Sequence, residues 1–160
     1  MPIENSLDLA IDLPPVADTA ARRGSTNRHF FDVSSKYRSV RDADLAAVDL
    51  ISDLLASAAL PDRPFRLLDV GTGTGRYLDM VSERLSSKHV TDLSPIGLDR
   101  STAMLAQARR LNGCAYPGAS HLVGDVETIP IRTTSCDAMT CFNAVHHFDL
   151  AKFSNEASRV

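Results

Sequence analysis

The stretch L-L-D-V-G-T-G-T-G-R-Y, Leu67 to Tyr77, sets glycines at 71, 73 and 75 directly after an apolar run. Glycine is poor inside strands and inside helices. Three on alternate positions mark a backbone that turns tightly, or that lies against something leaving no room for a side chain. A strand, such a turn and then a helix together present backbone N–H groups at the carboxyl end of a sheet, where α/β proteins hold ligands. Spacing narrows the possible guests. A phosphate loop of the G-x-x-x-x-G-K-[ST] kind needs a Gly-Lys pair, and the chain has none. The dinucleotide fingerprint G-x-G-x-x-G would put its third glycine at position 76, which is Arg76, so a nicotinamide-dependent oxidoreductase is disfavoured. A tight strand-to-helix turn with no ligand remains the bland alternative.

Other residue types that could do chemistry are fewer. Asp92, Asp99 and Asp125 each stand at or near an apolar run, and His146 is followed by His147. Adjacent histidines lack the i, i+4 spacing that lets two imidazoles converge on one ion, so no metal site is expected. The pair also reads as loop histidines satisfied by hydrogen bonds, with no proton to move. Cys114, Cys136 and Cys141 are odd in number and lack C-x-x-C spacing, which suggests neither a disulfide framework nor a zinc site.

The elements that must position these residues follow from periodicity. From Asp44, Leu45, Val48, Ile51, Leu54, Leu55 and Ala58 recur at three- and four-residue steps, predicting an amphipathic helix closed by Leu60-Pro61. Phe65 to Val70 reads as a strand, and Tyr77, Leu78, Val81 and Leu85 mark a second helix after the glycines. S-P-I-G-L-D reads as a strand ending on Asp99. Ser101 then caps a helix through Met104 and Leu111, with Arg109-Arg110 in its last turn and Gly113 just past it. His121 to Gly124 and Cys136 to Phe142 are strand-like, and Asp149 caps a helix through Phe153, Ala157 and Val160. Apolar strands alternating with amphipathic helices imply a parallel α/β sheet with helices on both faces.

Residues 1–26, with Pro14-Pro15 and the alternating Leu7, Leu9, Ile11 and Leu13, read as a poorly ordered arm before a domain over residues 27–160. At 160 residues, 44% hydrophobic and 23% charged, the chain is one ordinary globular domain. A net charge of −3 gives no footprint for nucleic acid or an anionic membrane, and Arg22-Arg23 and Arg109-Arg110 are too short to make one. The acidic N-terminus carries no signal-like or membrane-spanning run, so a reduced, cytoplasmic setting is expected.

D-x-G-x-G-x-G over Asp69, Gly71, Gly73 and Gly75 resembles the first motif of the class I S-adenosylmethionine-dependent methyltransferases. The resemblance implies a Rossmann-like, doubly wound parallel sheet. It also implies glycines that let the backbone approach the methionine and ribose of the cofactor, with Asp69 fixing the loop and the cofactor's amino group. The ribose calls for a carboxylate at the next strand's end. Asp92 lies at the usual distance, but Pro95 and Gly97 follow it. A capped helix starts at once after Asp99, so Asp99, with Arg100 beside it, is the expected ribose site and Asp92 a loop residue. The stretch from Gly97 to Arg109 is itself similar to the family's second motif.

H-L-V-G-D-V-E-T-I-P-I, ending at Ile131, resembles the family's G-D-A-x-x-L-P segment, which assigns the adenine amino group to Asp125 and the ring edge to the amide of Val126. C-D-A-M-T-C-F-N-A-V-H-H-F resembles the fourth strand and loop of ubiquinone/menaquinone-biosynthesis-type members. That places Phe142 and Asn143 by the methionine and sulfonium, and His146 by the acceptor as candidate base. In such relatives an aromatic segment like N-R-H-F-F-D-V-S-S-K-Y-R shapes the acceptor pocket, making Phe31 and Tyr37 candidate lining residues.

The implied activity is in-line methyl transfer from S-adenosylmethionine to a small molecule, leaving S-adenosylhomocysteine. Near-attack geometry and exclusion of water matter more to it than a base. A binding module without turnover is the alternative. Only four of the family's seven strands are legible, which points to an N-terminal portion truncated after the fourth strand's helix. An open edge there invites a homodimer or swapped assembly.

Overall fold

The computed structural model describes residues 42–60, 62–112 and 118–160. The expectations for the N-terminal arm, Phe31, Tyr37, Pro61, Gly113 and Cys114 lie outside them. A first helix, α1 (Leu45–Ala58), precedes β1 (Phe65–Val70), α2 (Arg76–Ser87), β2 (Leu93–Asp99), α3 (Thr102–Asn112), β3 (Ser120–Val123) and β4 (Ala138–Thr140). A 3-10 turn over Val145–His147 then leads to α4 (Leu150–Arg159).

The four strands form one parallel sheet in the order β3-β2-β1-β4, the four-strand α/β arrangement expected from the sequence. Leu68 stands opposite Ile96 on one side and Met139 on the other, so β1 is central. A central strand is covered on both faces, which is why its apolar residues run on rather than alternate with polar ones. Phe65 and Leu67 face α1 and α2, packing with Val48, Leu78, Val81 and Leu85. Leu68 and Val70 face the other way, against Ile96, Leu98, Ile129, Ile131 and the α4 residue Phe153. Each fully buried leucine contributes about 1.5–3 kcal/mol, and both Leu67 and Leu68 are wholly buried.

The caps explain where the helices begin. Asp44 Oδ1 accepts from Ala47 N at 3.0 Å, Ser101 Oγ from Met104 N at 3.3 Å and Asp149 Oδ1 from Ala151 N at 3.1 Å. Helix α2 is started instead by Gly75 in the left-handed region. Strand β4 is shorter than the expected Cys136 to Phe142. Cys136 N instead donates to Val160 O, and Asp137 N donates to Arg66 O. Asp137 also pins β4 to β1 at the end away from the glycines, accepting from Arg66 N at 2.8 Å and pairing with Arg63 at 2.8 Å. Among the described residues β4 pairs only with β1, leaving its other side as a sheet edge. Among them, too, no helix is long and apolar enough to cross a membrane.

Candidate functional site

The loops after β1, β2, β3 and β4 all emerge at the same end of the parallel strands, and a cleft opens between them. Gly71 and Gly73 supply its floor. Asp99 and Arg100 follow from β2, with Met104 one turn into α3. Gly124, Asp125, Val126 and Glu127 come after β3, and Phe142, Asn143, Ala144, His147 and Phe148 after β4.

The glycines do different work. Gly71 has φ +66°, and a Cβ there would overlap Ala144 Cβ and meet Phe148 Cζ at 3.3 Å. What lies too close for a side chain at Gly71 is the chain's own loop after β4. Gly73 has φ +57°, yet a Cβ there would meet nothing within 4 Å. Its Cβ direction is open space in a residue that lines the cleft, which fits a guest lying against the backbone. Gly75 starts α2 and lies outside the cleft wall.

Asp99 ends β2 with its carboxylate turned onto the loop. Oδ2 accepts from Gly73 N and Oδ1 from Ser101 N, both at 2.8 Å. Burial pushes its pKa up, and those two N–H groups pull it back. Each oxygen has a lone pair beyond the one already engaged, so a vicinal diol can be bound without giving up either contact. Asp92 sits at the far end of β2, where its carbonyl accepts from Phe65 N at 2.7 Å. The two carboxylates therefore lie at opposite ends of the sheet, and only Asp99 is at the cleft.

Asp69, expected to help fix the loop and the cofactor's amino group, is 2% exposed and is not among the residues lining the cleft. Burial pushes its pKa up to about 6, helped by the nearby Asp99 and Asp79. Thr140 Oγ1 donates to Asp69 Oδ1 at 2.8 Å and opposes that rise. The Thr72 hydroxyl is near enough to pull the same way but falls short of hydrogen-bond geometry, and it has no hydrogen-bond partner among the described residues. Asp69 therefore braces β1 against β4 from within.

Asp125 heads a tight turn, with Oδ1 accepting from Glu127 N at 3.0 Å. Val126, 7% exposed, seats that turn in the core. Glu127 Oε1 accepts from Asp149 N at 3.2 Å and Oε2 from Lys152 Nζ at 3.0 Å, tying this wall to α4. Farther along, Glu156 Oε2 accepts from Ile129 N at 2.6 Å, and Arg159 donates to the carbonyls of Ile129 and Ile131 at 2.7 Å each. Helix α4 thereby fixes the segment that follows Asp125.

Asn143 takes φ +56°, rare for a residue with a side chain, and its Nδ2 donates to Tyr77 Oη at 3.2 Å. Its neighbour Phe142 stacks on the Tyr77 ring. Of the histidine pair, His147 lines the cleft, and the ring of His146, the expected acceptor-side residue, packs at 4.0 Å against it. A 3-10 turn rotates successive residues by about a third of a circle, so only one of two neighbours can face inward. Burial, then His146 and Arg100, push the His147 pKa down, against an opposing pull from Asp99. Its imidazole is thereby biased toward the neutral form.

Eight of the ten expected cofactor residues meet in this cleft; Asp69 and Gly75 support it from outside. Met104, Gly124, Glu127, Ala144, His147 and Phe148 were missed. Met104 could have been found from its position one turn after the Ser101 cap; Ala144 and Phe148 carry no sequence signal.

A family model described as a methyltransferase domain matches residues 67–160. A demethylmenaquinone methyltransferase of Deinococcus radiodurans is 29% identical over 136 residues, 84% of this chain and 54% of the relative. A ubiquinone/menaquinone biosynthesis C-methyltransferase of Methylobacterium nodulans is 32% identical over 145 residues, 86% of this chain and 53% of the relative. The chain thus spans about half the length of these curated relatives. A solved S-adenosylmethionine-dependent methyltransferase of Aquifex aeolicus shares the fold, with a TM-score of 0.60 at 23% identity over 79% of this chain and 66% of that one.

Proposed function

This chain belongs to the methyltransferase-domain family, and on that premise we propose that it binds S-adenosylmethionine in the cleft and serves methyl transfer to a small molecule. The observation that carries the reading is Asp99, held by Gly73 N and Ser101 N so that its carboxylate borders the glycine floor. Asp99 takes the two ribose hydroxyls, with Arg100 at the rim. Asp125 accepts from the adenine amino group, and the Val126 amide meets the ring edge. Gly73 leaves room for the ribose and methionine, and Phe142 and Asn143 wall the methionine side.

When bound, the cofactor supplies an electrophilic methyl on a sulfonium, and S-adenosylhomocysteine is what remains. The chain's own work is to hold, orient and exclude water. With Glu127 paired to Lys152, Asp99 and Asp125 against Arg100 give the described cleft wall a slight excess of negative charge, suited to a cationic guest. Where the acceptor arrives protonated, the neutral His147 imidazole is the group placed to take the proton. The quinone-pathway names of the relatives support a small-molecule acceptor. Assembly of two copies through the β4 edge belongs to the same reading, and light scattering from a folded monomer at micromolar concentration refutes that part.

Calorimetric titration with S-adenosylhomocysteine, S-adenosylmethionine and NAD tests the proposal. Binding of the first two is expected, with Asp99→Ala at least about tenfold weaker because a charged hydrogen-bond acceptor is lost. Asp99→Asn, which keeps one acceptor oxygen, serves as a milder second variant. Binding of NAD alone refutes the reading. Binding without methyl transfer, with candidate acceptors followed by mass, makes this a binding module.

A further inference from the structure

Tyr77 stands in the first turn of α2, directly after the glycine loop. We propose that Tyr77 is a positioning residue: its hydroxyl joins the start of α1 to the cleft wall carrying Phe142 and Asn143. Three contacts converge on this side chain. Its ring lies parallel to that of Phe142, with centroids 4.4 Å apart and planes 2° from coincidence. Its Oη accepts from Asn143 Nδ2 at 3.2 Å and from Asp44 N at 3.3 Å. A phenol oxygen accepts about two hydrogen bonds, so these donors fill it. One atom therefore bridges a residue 33 positions before it and one 66 positions after it.

Both partners use this tie. Asp44 is the N-cap of α1; its side chain serves Ala47 N, while its own N–H points out of the helix and donates to Tyr77 Oη. Asn143 holds a left-handed backbone that costs free energy unless its surroundings fix it. The neighbours of Asn143 cannot drift freely either, since Ala144 and Phe148 abut Gly71. Tyr77 thus converts a strained turn and a helix start into one unit registered on the glycine loop. Phenylalanine would keep the stack and lose both hydrogen bonds.

The effect on ligand binding rests on the cofactor reading above; the clasp itself does not. Hydrogen exchange on the ligand-free chain reads the clasp directly. Tyr77→Phe is expected to speed exchange in both the 42–47 and the 142–148 segments while leaving exchange in β1 and β2 unchanged. Tyr77→Leu, which also loses the stack, is expected to lower the melting temperature further. Titration with S-adenosylhomocysteine reads the consequence. Tyr77→Phe should bind about fivefold more weakly, the size of one neutral hydrogen bond. The Tyr77→Phe/Asn143→Ala double variant should lose less than the sum of the two single variants, because both remove the Asn143 link and only Tyr77→Phe also frees Asp44.

Additive losses in the double variant, unchanged exchange, or faster exchange in only one of the two segments overturns the proposal. Failure of the wild-type chain to bind S-adenosylhomocysteine overturns the cofactor reading instead, and the exchange experiment still decides the clasp.

Discussion

Replacing Gly71 and Gly73 one at a time by alanine separates two reasons for having no side chain. Both residues sit in the left-handed region, at φ +66° and +57°. A Cβ there costs about 1–2 kcal/mol at either position. At Gly71 the new methyl also overlaps Ala144 Cβ and crowds Phe148, so the loop after β4 must shift. Overpacking of that kind adds about 1–3 kcal/mol. Gly71→Ala is therefore expected to lose about 2–5 kcal/mol and Gly73→Ala only about 1–2 kcal/mol. At a few degrees per kcal/mol for a domain of this size, the two thermal midpoints separate by about 5–10 °C. Binding runs the other way. The Gly73→Ala methyl projects into the space a ligand would fill, so S-adenosylhomocysteine affinity should fall at least about tenfold, or about 1.4 kcal/mol. Circular-dichroism melts and calorimetric titration read the two effects separately. A Gly73→Ala variant that binds like wild type, or one destabilised as much as Gly71→Ala, refutes the division of labour.

Two further outcomes follow from the titrating groups. Burial raises the folded-state pKa of Asp69 to about 6 from an ordinary 3.8, so the folded chain binds a proton that the unfolded chain has released between those values. The associated stability, up to about 3 kcal/mol, is fully present below about pH 4 and is lost as pH rises through about 6. Asp69→Asn should remove that component, so the stability difference between wild type and variant, followed by urea unfolding from pH 4 to 7, should change with pH; a difference that stays constant refutes the assignment. His147 should titrate below the usual histidine range, and its NMR signals, not those of His146, should move most when S-adenosylhomocysteine binds. A larger response at His146 would return the acceptor-side role to that residue.

Local spacing carried much of this protein. The 3.6-residue period from Asp44, the apolar run to Val70 and the Ser101 and Asp149 caps are short-range signals, and each element appeared where they placed it. Parallel strands joined by helices return their carboxyl ends to one side, so the relative positions of Asp99 and Asp125 followed from the order of elements. The exclusion of Asp92 followed in the same way, because it precedes β2 rather than ending it. The length of β4 was less legible. Cys136 and Asp137 find partners in Val160 and Arg66, both far along the chain, and spacing says nothing about such pairings.

What the sequence by itself determined was a glycine-floored strand-to-helix turn with carboxylates waiting at the next two strand ends. Only the tertiary structure decided who crowds each glycine: Ala144 and Phe148 at Gly71, open cleft at Gly73. It also decided that Asp69 is sealed behind the loop, that His147 rather than His146 faces inward, and that Tyr77 bridges Asp44 to Asn143. The physical reason is range. Hydrogen-bonded turns and helical periods are fixed by residues a few positions apart, whereas crowding, burial and the direction of a side chain depend on atoms that meet only when distant segments pack.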